Sequence, residues 1–145
     1  MYYLTAEASF DGAHFLAGYE GKCSNLHGHR WRVILNIEAE ELQAEGQQRG
    51  MVVDFGDLKS DLNMIADEFD HKLIIEKGSL KDTTLNALFS EDFSIVEVPF
   101  RPTAEEFAAY FYHRLSDFSY NVSRVTVYET PNNCAAYSEE EKRNA

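Results

Sequence analysis

His29-Arg30-Trp31-Arg32-Val33-Ile34-Leu35-Asn36-Ile37-Glu38-Ala39 is the stretch on which the fold turns. His29, Trp31, Val33, Leu35, Ile37 and Ala39 share one side of an extended chain. Arg30, Arg32, Asn36 and Glu38 mostly take the other. This alternation predicts a half-buried strand, apolar toward a core and polar away from it. Two residues upstream stands His27, which projects from the same side as His29 and continues the apolar face.

Working outward, residues 2–10 alternate in the same way and predict a second strand. The polar run from Glu40 to Gly50 predicts a long connection. Asp54 is placed as the N-cap of a helix over 55–69, with Phe55, Leu58, Leu62, Ile65 and Phe69 at helical spacing. Pro102-Thr103-Ala104-Glu105-Glu106 opens another helix: Thr103 and Glu106 fit a capping box, and Phe107, Tyr110, Phe111 and Leu115 form its buried stripe. Residues 122–129 read as the last strand, with Val125, Val127 and Glu129 on one face. Between them, 76–98 is the least legible segment, with a short helix over Asp82–Ser90 and a short strand over Ile95–Val98. The order of elements predicts an α+β fold with an antiparallel sheet, a single domain over 1–137 and a charged, loose tail over 138–145.

The chain has 145 residues, 44% of them hydrophobic and 13% aromatic, the composition of one ordinary globular domain. Its apolar runs are too short to span a membrane, and Met1 to Glu7 lacks the pattern of a signal peptide. Two cysteines, Cys23 and Cys134, make no disulfide framework, so a reducing, cytoplasmic setting is expected. A formal charge of -12 argues against a nucleic-acid partner. Lys22, Arg30 and Arg32 lie near the histidines and form either a local patch for an anionic substrate or solvated strand positions.

Three of the five histidines, His14, His27 and His29, fall within sixteen residues. Three neutral imidazoles with no fourth ligand beside them in sequence are the donor set of a catalytic zinc, which keeps one position open. Cys23 is either a small buried hydrophobe, a thiol activated beside Lys22, or a fourth ligand that would close the metal. Asp70 next to His71 could orient an imidazole for proton transfer, but only if the backbone turns there, since neighbours in a strand point apart. His113, at a helix C-terminus, reads as structural. Glu129 is either a strand-end carboxylate in water or the partner of a flat heterocycle offering two adjacent N–H groups.

Taken together, Cys23-x-x-x-His27-Gly28-His29, Val53-Asp54-Phe55, Asp70-His71, Pro102-Thr103-x-Glu105 and Tyr128-Glu129-Thr130 resemble the 6-pyruvoyl-tetrahydropterin synthase superfamily. The resemblance runs from Phe10 to about Tyr137. Three residues between the cysteine and the His-Gly-His resemble the bacterial queuosine branch; the pyruvoyl branch typically carries five. The resemblance implies the tunnelling fold (T-fold): a four-stranded antiparallel sheet with two helices on one face, three subunits closing a barrel and two trimers stacking into a homohexamer. It implies zinc on His14, His27 and His29, and Cys23 as general base with Asp70 and His71 as relay. Glu129 would anchor a pterin ring, with Thr103 and Glu105 near it. The implied reaction converts 7,8-dihydroneopterin triphosphate to 6-carboxytetrahydropterin, acetaldehyde and triphosphate. Siblings in the superfamily eliminate triphosphate to a pyruvoyl compound or cleave the side chain. A more distant reading is a non-catalytic zinc or pterin-binding protein. Segment 76–98 is longer than in compact bacterial members and is expected to form a lid or rim near the substrate.

Overall fold

Strands β1 (Tyr2–His14) and β2 (His27–Ala39) pair antiparallel along their whole length, from Tyr2 opposite Ala39 to His14 opposite His27. The computed structural model describes residues 1–139. Ala6, Ala8, Phe10 and His14 of β1 and Trp31, Val33, Leu35 and Ile37 of β2 are buried, as the alternation requires. β1 runs four residues past its expected end at Phe10. Gly12 lets it do so, because a Cβ there would stand 2.9 Å from Ile74 Cδ1, and its carbonyl accepts from Trp31 Nε1 at 3.2 Å.

Helices α1 (Phe55–Asp67) and α3 (Ala104–Ser116) share one core with the inner face of the sheet. The caps are those anticipated: Asp54 accepts from the Gly56 N–H at 2.6 Å, and Thr103 from the Glu106 N–H at 3.2 Å. Leu58, Leu62 and Ile65 meet Phe107, Phe111 and Leu115 over Phe10 and Trp31, all fully or almost fully buried. Each such side chain contributes roughly 1.5–3 kcal/mol relative to exposure. Phe55 departs from its expected place in the stripe. It is 55% exposed and lines a surface cleft with Tyr2, Tyr3 and Met51, because the first turn of α1 overhangs the core.

The sheet is larger and more mixed than expected. Its order is β4-β3-β1-β2-β5-β6, with β5 at Val122–Thr130 and β6 at Asn133–Tyr137. The block β1-β2-β5-β6 is antiparallel throughout and supplies four strands. Two short strands, β3 (Lys72–Glu76) and β4 (Ile95–Val98), extend it in parallel beyond β1. Their parallel pairing follows from the connection: α2 (Asp82–Ser90) crosses between them, and a crossover rather than a hairpin reverses the chain twice. α2 is thus a third helix, with no buried residue. Nor is 122–129 the last strand; Pro131-Asn132 makes a tight turn into β6, whose Asn-Cys-Ala-Ala-Tyr sequence carries little alternation. The expected loose tail lies, for residues 140–145, outside the described residues.

Candidate metal centre and active site

Strand register alone brings the three histidines together. His14 closes β1 directly opposite His27 at the start of β2, and His29 follows on the same face. His14 is fully buried, while His27 and His29 are half-buried. Trp31 is the floor of the cluster, its ring edge-on to His14 at 4.9 Å and to His29 at 5.5 Å.

Two backbone carbonyls set the tautomers. His14 Nδ1 donates to Pro102 O at 2.7 Å, and His27 Nδ1 donates to Asn25 O at 2.6 Å. Each ring in its neutral form therefore carries a lone pair on Nε2. Those two Nε2 atoms stand 3.1 Å apart. Two lone pairs at that distance repel unless a cation lies between them. At neutral pH a proton is not that cation, because burial pulls the His14 pKa down to about 4, against the pull of the Pro102 carbonyl and reinforced by the other two imidazoles. Burial lowers His29 as well, opposed by the Glu129 carboxylate. Neutral imidazoles with outward-held Nδ1 protons suit a zinc ion.

The fourth position is not bare. Glu129, continuing the buried face of Val125 and Val127 on β5, places Oε1 3.5 Å from His14 Nε2 and 3.4 Å from His29 Nε2. Among the described residues, His14, His27, His29 and Glu129 are the group whose donor atoms lie within 4.8 Å of one another. Cys23 is not in it, so the reading in which the thiol closes the metal shell has no support here.

Asp70 and His71 meet as the dipeptide requires, by a turn. His71 has φ of 58°, a left-handed conformation that swings its ring back onto its neighbour. Its Nδ1 donates to Asp70 Oδ2 at 2.9 Å, while Asp70 Oδ1 accepts the Asp11 backbone N–H at 2.8 Å. The Asp11 N–H first, then His71, holds the Asp70 carboxyl below the usual carboxylate range. Asp11 O in turn accepts the His71 N–H at 2.7 Å. The pair is thereby locked to β1, with His71 Nε2 left free to take or give a proton. Asp70→Asn would keep the Asp11 contact but offer an N–H to His71 and reverse its tautomer. The expected result is a fall in turnover of about 100-fold with an altered pH–rate profile; a variant that changed only stability would leave the profile in place.

One residue of each constellation, His29 and His71, lines a cavity of about 510 Å³, together with Leu26, Lys72, Leu88 and Phe93 among others. Leu88 and Phe93, from α2 and the turn after it, belong to the 76–98 segment. Lys72 is the one ammonium or guanidinium lining the cavity, and it has no side-chain partner among the described residues. The basic residues expected to form an anion patch are largely engaged: Arg30 grips Asp11 through Nε at 2.9 Å and Nη2 at 3.1 Å, and Arg32 pairs with Glu7.

Other expected site residues stand apart. Cys23 is half-buried in a 3-10 turn (Lys22–Ser24) of the loop joining β1 to β2, its carbonyl accepting the Leu16 N–H at 2.9 Å. It does not line the cavity. Thr103 spends its hydroxyl on the α3 cap, and Glu105 is exposed in the first turn of the helix. Lys72 and Asp11 are site residues that the sequence did not single out. Lys72 directly follows the Asp-His pair, a placement that could have flagged it; the main-chain role of Asp11 left no signal.

These features define an α+β chain with a His/Glu group that could hold a metal ion and with an Asp–His pair whose His71 shares a cavity lining with His29. Residues 3–140 match the family described as 6-pyruvoyl tetrahydropterin synthase; the chain belongs to that family and is one of its enzymes, a lyase. It is 39% identical to the 6-carboxy-5,6,7,8-tetrahydropterin synthase of Haemophilus influenzae, over 96% of this chain and all of that protein. It is 32% identical to the protein of the same name from Synechocystis, over 80% of this chain and 98% of that one. An uncharacterized Wolinella succinogenes protein, WS1659, has a similar structure, with a TM-score of 0.78, 26% identity, and coverage of 96% and 98%. Among the described residues no helix is long and apolar enough to cross a membrane.

Proposed function

We propose that the protein is a zinc-dependent lyase that converts 7,8-dihydroneopterin triphosphate to 6-carboxy-5,6,7,8-tetrahydropterin, acetaldehyde and triphosphate, a step of queuosine biosynthesis in the cytoplasm. The observation that carries it is the pair of facing Nε2 lone pairs on His14 and His27, which calls for a metal. The names of the relatives support the choice of reaction.

His14, His27 and His29 would hold the zinc, which when bound would supply Lewis acidity to side-chain oxygens of the substrate. The chain's own groups do the rest. Glu129 accepts paired N–H groups of the pterin ring, and Thr103 and Glu105, at the start of α3, are the further ring-binding residues of this reading. His71, its Nδ1 proton committed to Asp70, exchanges a proton through Nε2. Cys23 serves as the general base that removes a substrate proton. Because Cys23 lies outside the cavity of its own chain, it serves a site completed at a subunit interface, consistent with a homohexamer built as a dimer of trimers. Leu88 and Phe93 exclude water from one wall.

Lys72 is positioned to hold the triphosphate. Lys72→Ala is expected to raise KM about tenfold with kcat changed much less, the size of one charge-assisted hydrogen bond; initial rates over a range of substrate concentration check it.

Mass spectrometry of the products made by zinc-loaded protein tests the reaction. Carboxytetrahydropterin with acetaldehyde supports it. A pyruvoyl product would move the protein to the sibling chemistry, and absence of turnover with zinc bound would overturn the proposal.

A further inference from the structure

The reading above gives Glu129 to the pterin ring, yet the carboxylate is turned onto the histidines. Its Oε1 lies 3.5 Å from His14 Nε2 and 3.4 Å from His29 Nε2. Neither contact has the geometry of a good hydrogen bond, which is shorter. His14 moreover has no Nε2 proton to offer, since its proton sits on Nδ1 against Pro102. A tetrahedral zinc with donors at about 2.0–2.1 Å sets those donors roughly 3.3–3.4 Å apart. The two carboxylate contacts, with the 3.1 Å separation of His14 and His27 Nε2, therefore match edges of one coordination tetrahedron.

We propose that Glu129 is the fourth metal ligand of the substrate-free protein, and that it leaves the metal to bind the pterin ring when substrate enters. The second half rests on the proposed pterin reading; the first does not. A zinc closed by four protein donors holds no reactive position. With Oε1 turned onto the metal, the carboxylate does not present its two oxygens side by side to parallel ring N–H groups, so turning to meet the ring draws it off the metal and frees the position that the substrate oxygens need. Glu129 has room to move: its side chain is 30% exposed, and beside it lies a small cavity of about 190 Å³ walled by Arg32, Tyr128 and Pro131. The exchange couples specificity to activation. A small oxygen ligand that lacks the paired N–H groups leaves the metal closed.

Cobalt absorption reads the coordination directly, without turnover. The full chain loaded with Co²⁺ is compared with Glu129→Gln, each with and without 7,8-dihydroneopterin, which carries the ring and hydroxyls but no triphosphate. The substrate-free spectra are expected to differ, and Zn²⁺ affinity in chelator competition is expected to fall about tenfold in the variant. Adding 7,8-dihydroneopterin should shift the wild-type bands and shift those of the variant much less. Coincident substrate-free spectra would overturn ligation by Glu129. Calorimetric binding of the pterin with no change in the wild-type bands would overturn the exchange. No calorimetric binding would show the pterin reading itself to be at fault, and the exchange would fall with it, while the first comparison would still report ligation.

Discussion

Replacing His27 with alanine is expected to reduce bound zinc from about one ion per chain to less than a tenth, and turnover by at least about 1000-fold. Removing His27 takes away the Nε2 that faces His14 at 3.1 Å and leaves His14, His29 and the partly exposed Glu129 carboxylate, a donor set that holds the ion much less tightly against a chelator. With the ion goes its stabilisation of substrate charge, several kcal/mol at about tenfold in rate per 1.4 kcal/mol. The fold should tolerate the change. His27 is half-buried at the very start of β2, and its Nδ1 partner, Asn25 O, sits in a loop where water can replace it. Elemental analysis and thermal melting on one sample separate the two effects. Near-normal zinc content in the variant would remove His27 from the metal set. His14 is a poorer site for this test, because its loss would also strand the buried Pro102 carbonyl.

The second large effect is expected at Cys23. Cys23→Ala should lower turnover by about 100- to 10,000-fold, the span of a positioned general base, while zinc content and pterin affinity stay near wild type. Its side chain is absent from the metal-donor group and half-buried within its own loop. A thiol there should also alkylate while zinc stays bound, which a ligand could not do. Full activity in Cys23→Ala would contradict the proton-transfer role. Loss of zinc along with activity would return the thiol to the metal.

Much of this was legible in residue parity. The alternation of 29–39, extended back to His27 and matched by Val125, Val127 and Glu129, placed three of the four metal-facing donors on the core side without any contact information. His14 was readable as a candidate but not as a strand residue, since Asp11 and Gly12 break the apolar pattern that β1 keeps structurally. The N-caps at Asp54 and Thr103 are local, so they could be read locally. What escaped depends on distant partners. Parallel pairing of β3 and β4 is a property of topology, not of either short apolar run. The meeting of Asp70 with His71 needed a left-handed residue that only the Asp11 backbone contacts hold in place. In sequence Glu129 is either a strand-end carboxylate in water or the partner of a flat heterocycle; its approach to His14 and His29 depends on the β2–β5 ladder, which leaves no local signal.

The central claim is that the metal held by His14, His27 and His29 is where the chemistry happens. Its most direct test is a reconstitution titration: protein stripped with chelator is given increasing Zn²⁺, and rate is measured against bound metal. The account predicts negligible activity in the stripped protein and a linear rise that breaks at one zinc per chain. Full activity after the metal is gone, or a rate indifferent to the bound equivalents, would contradict it.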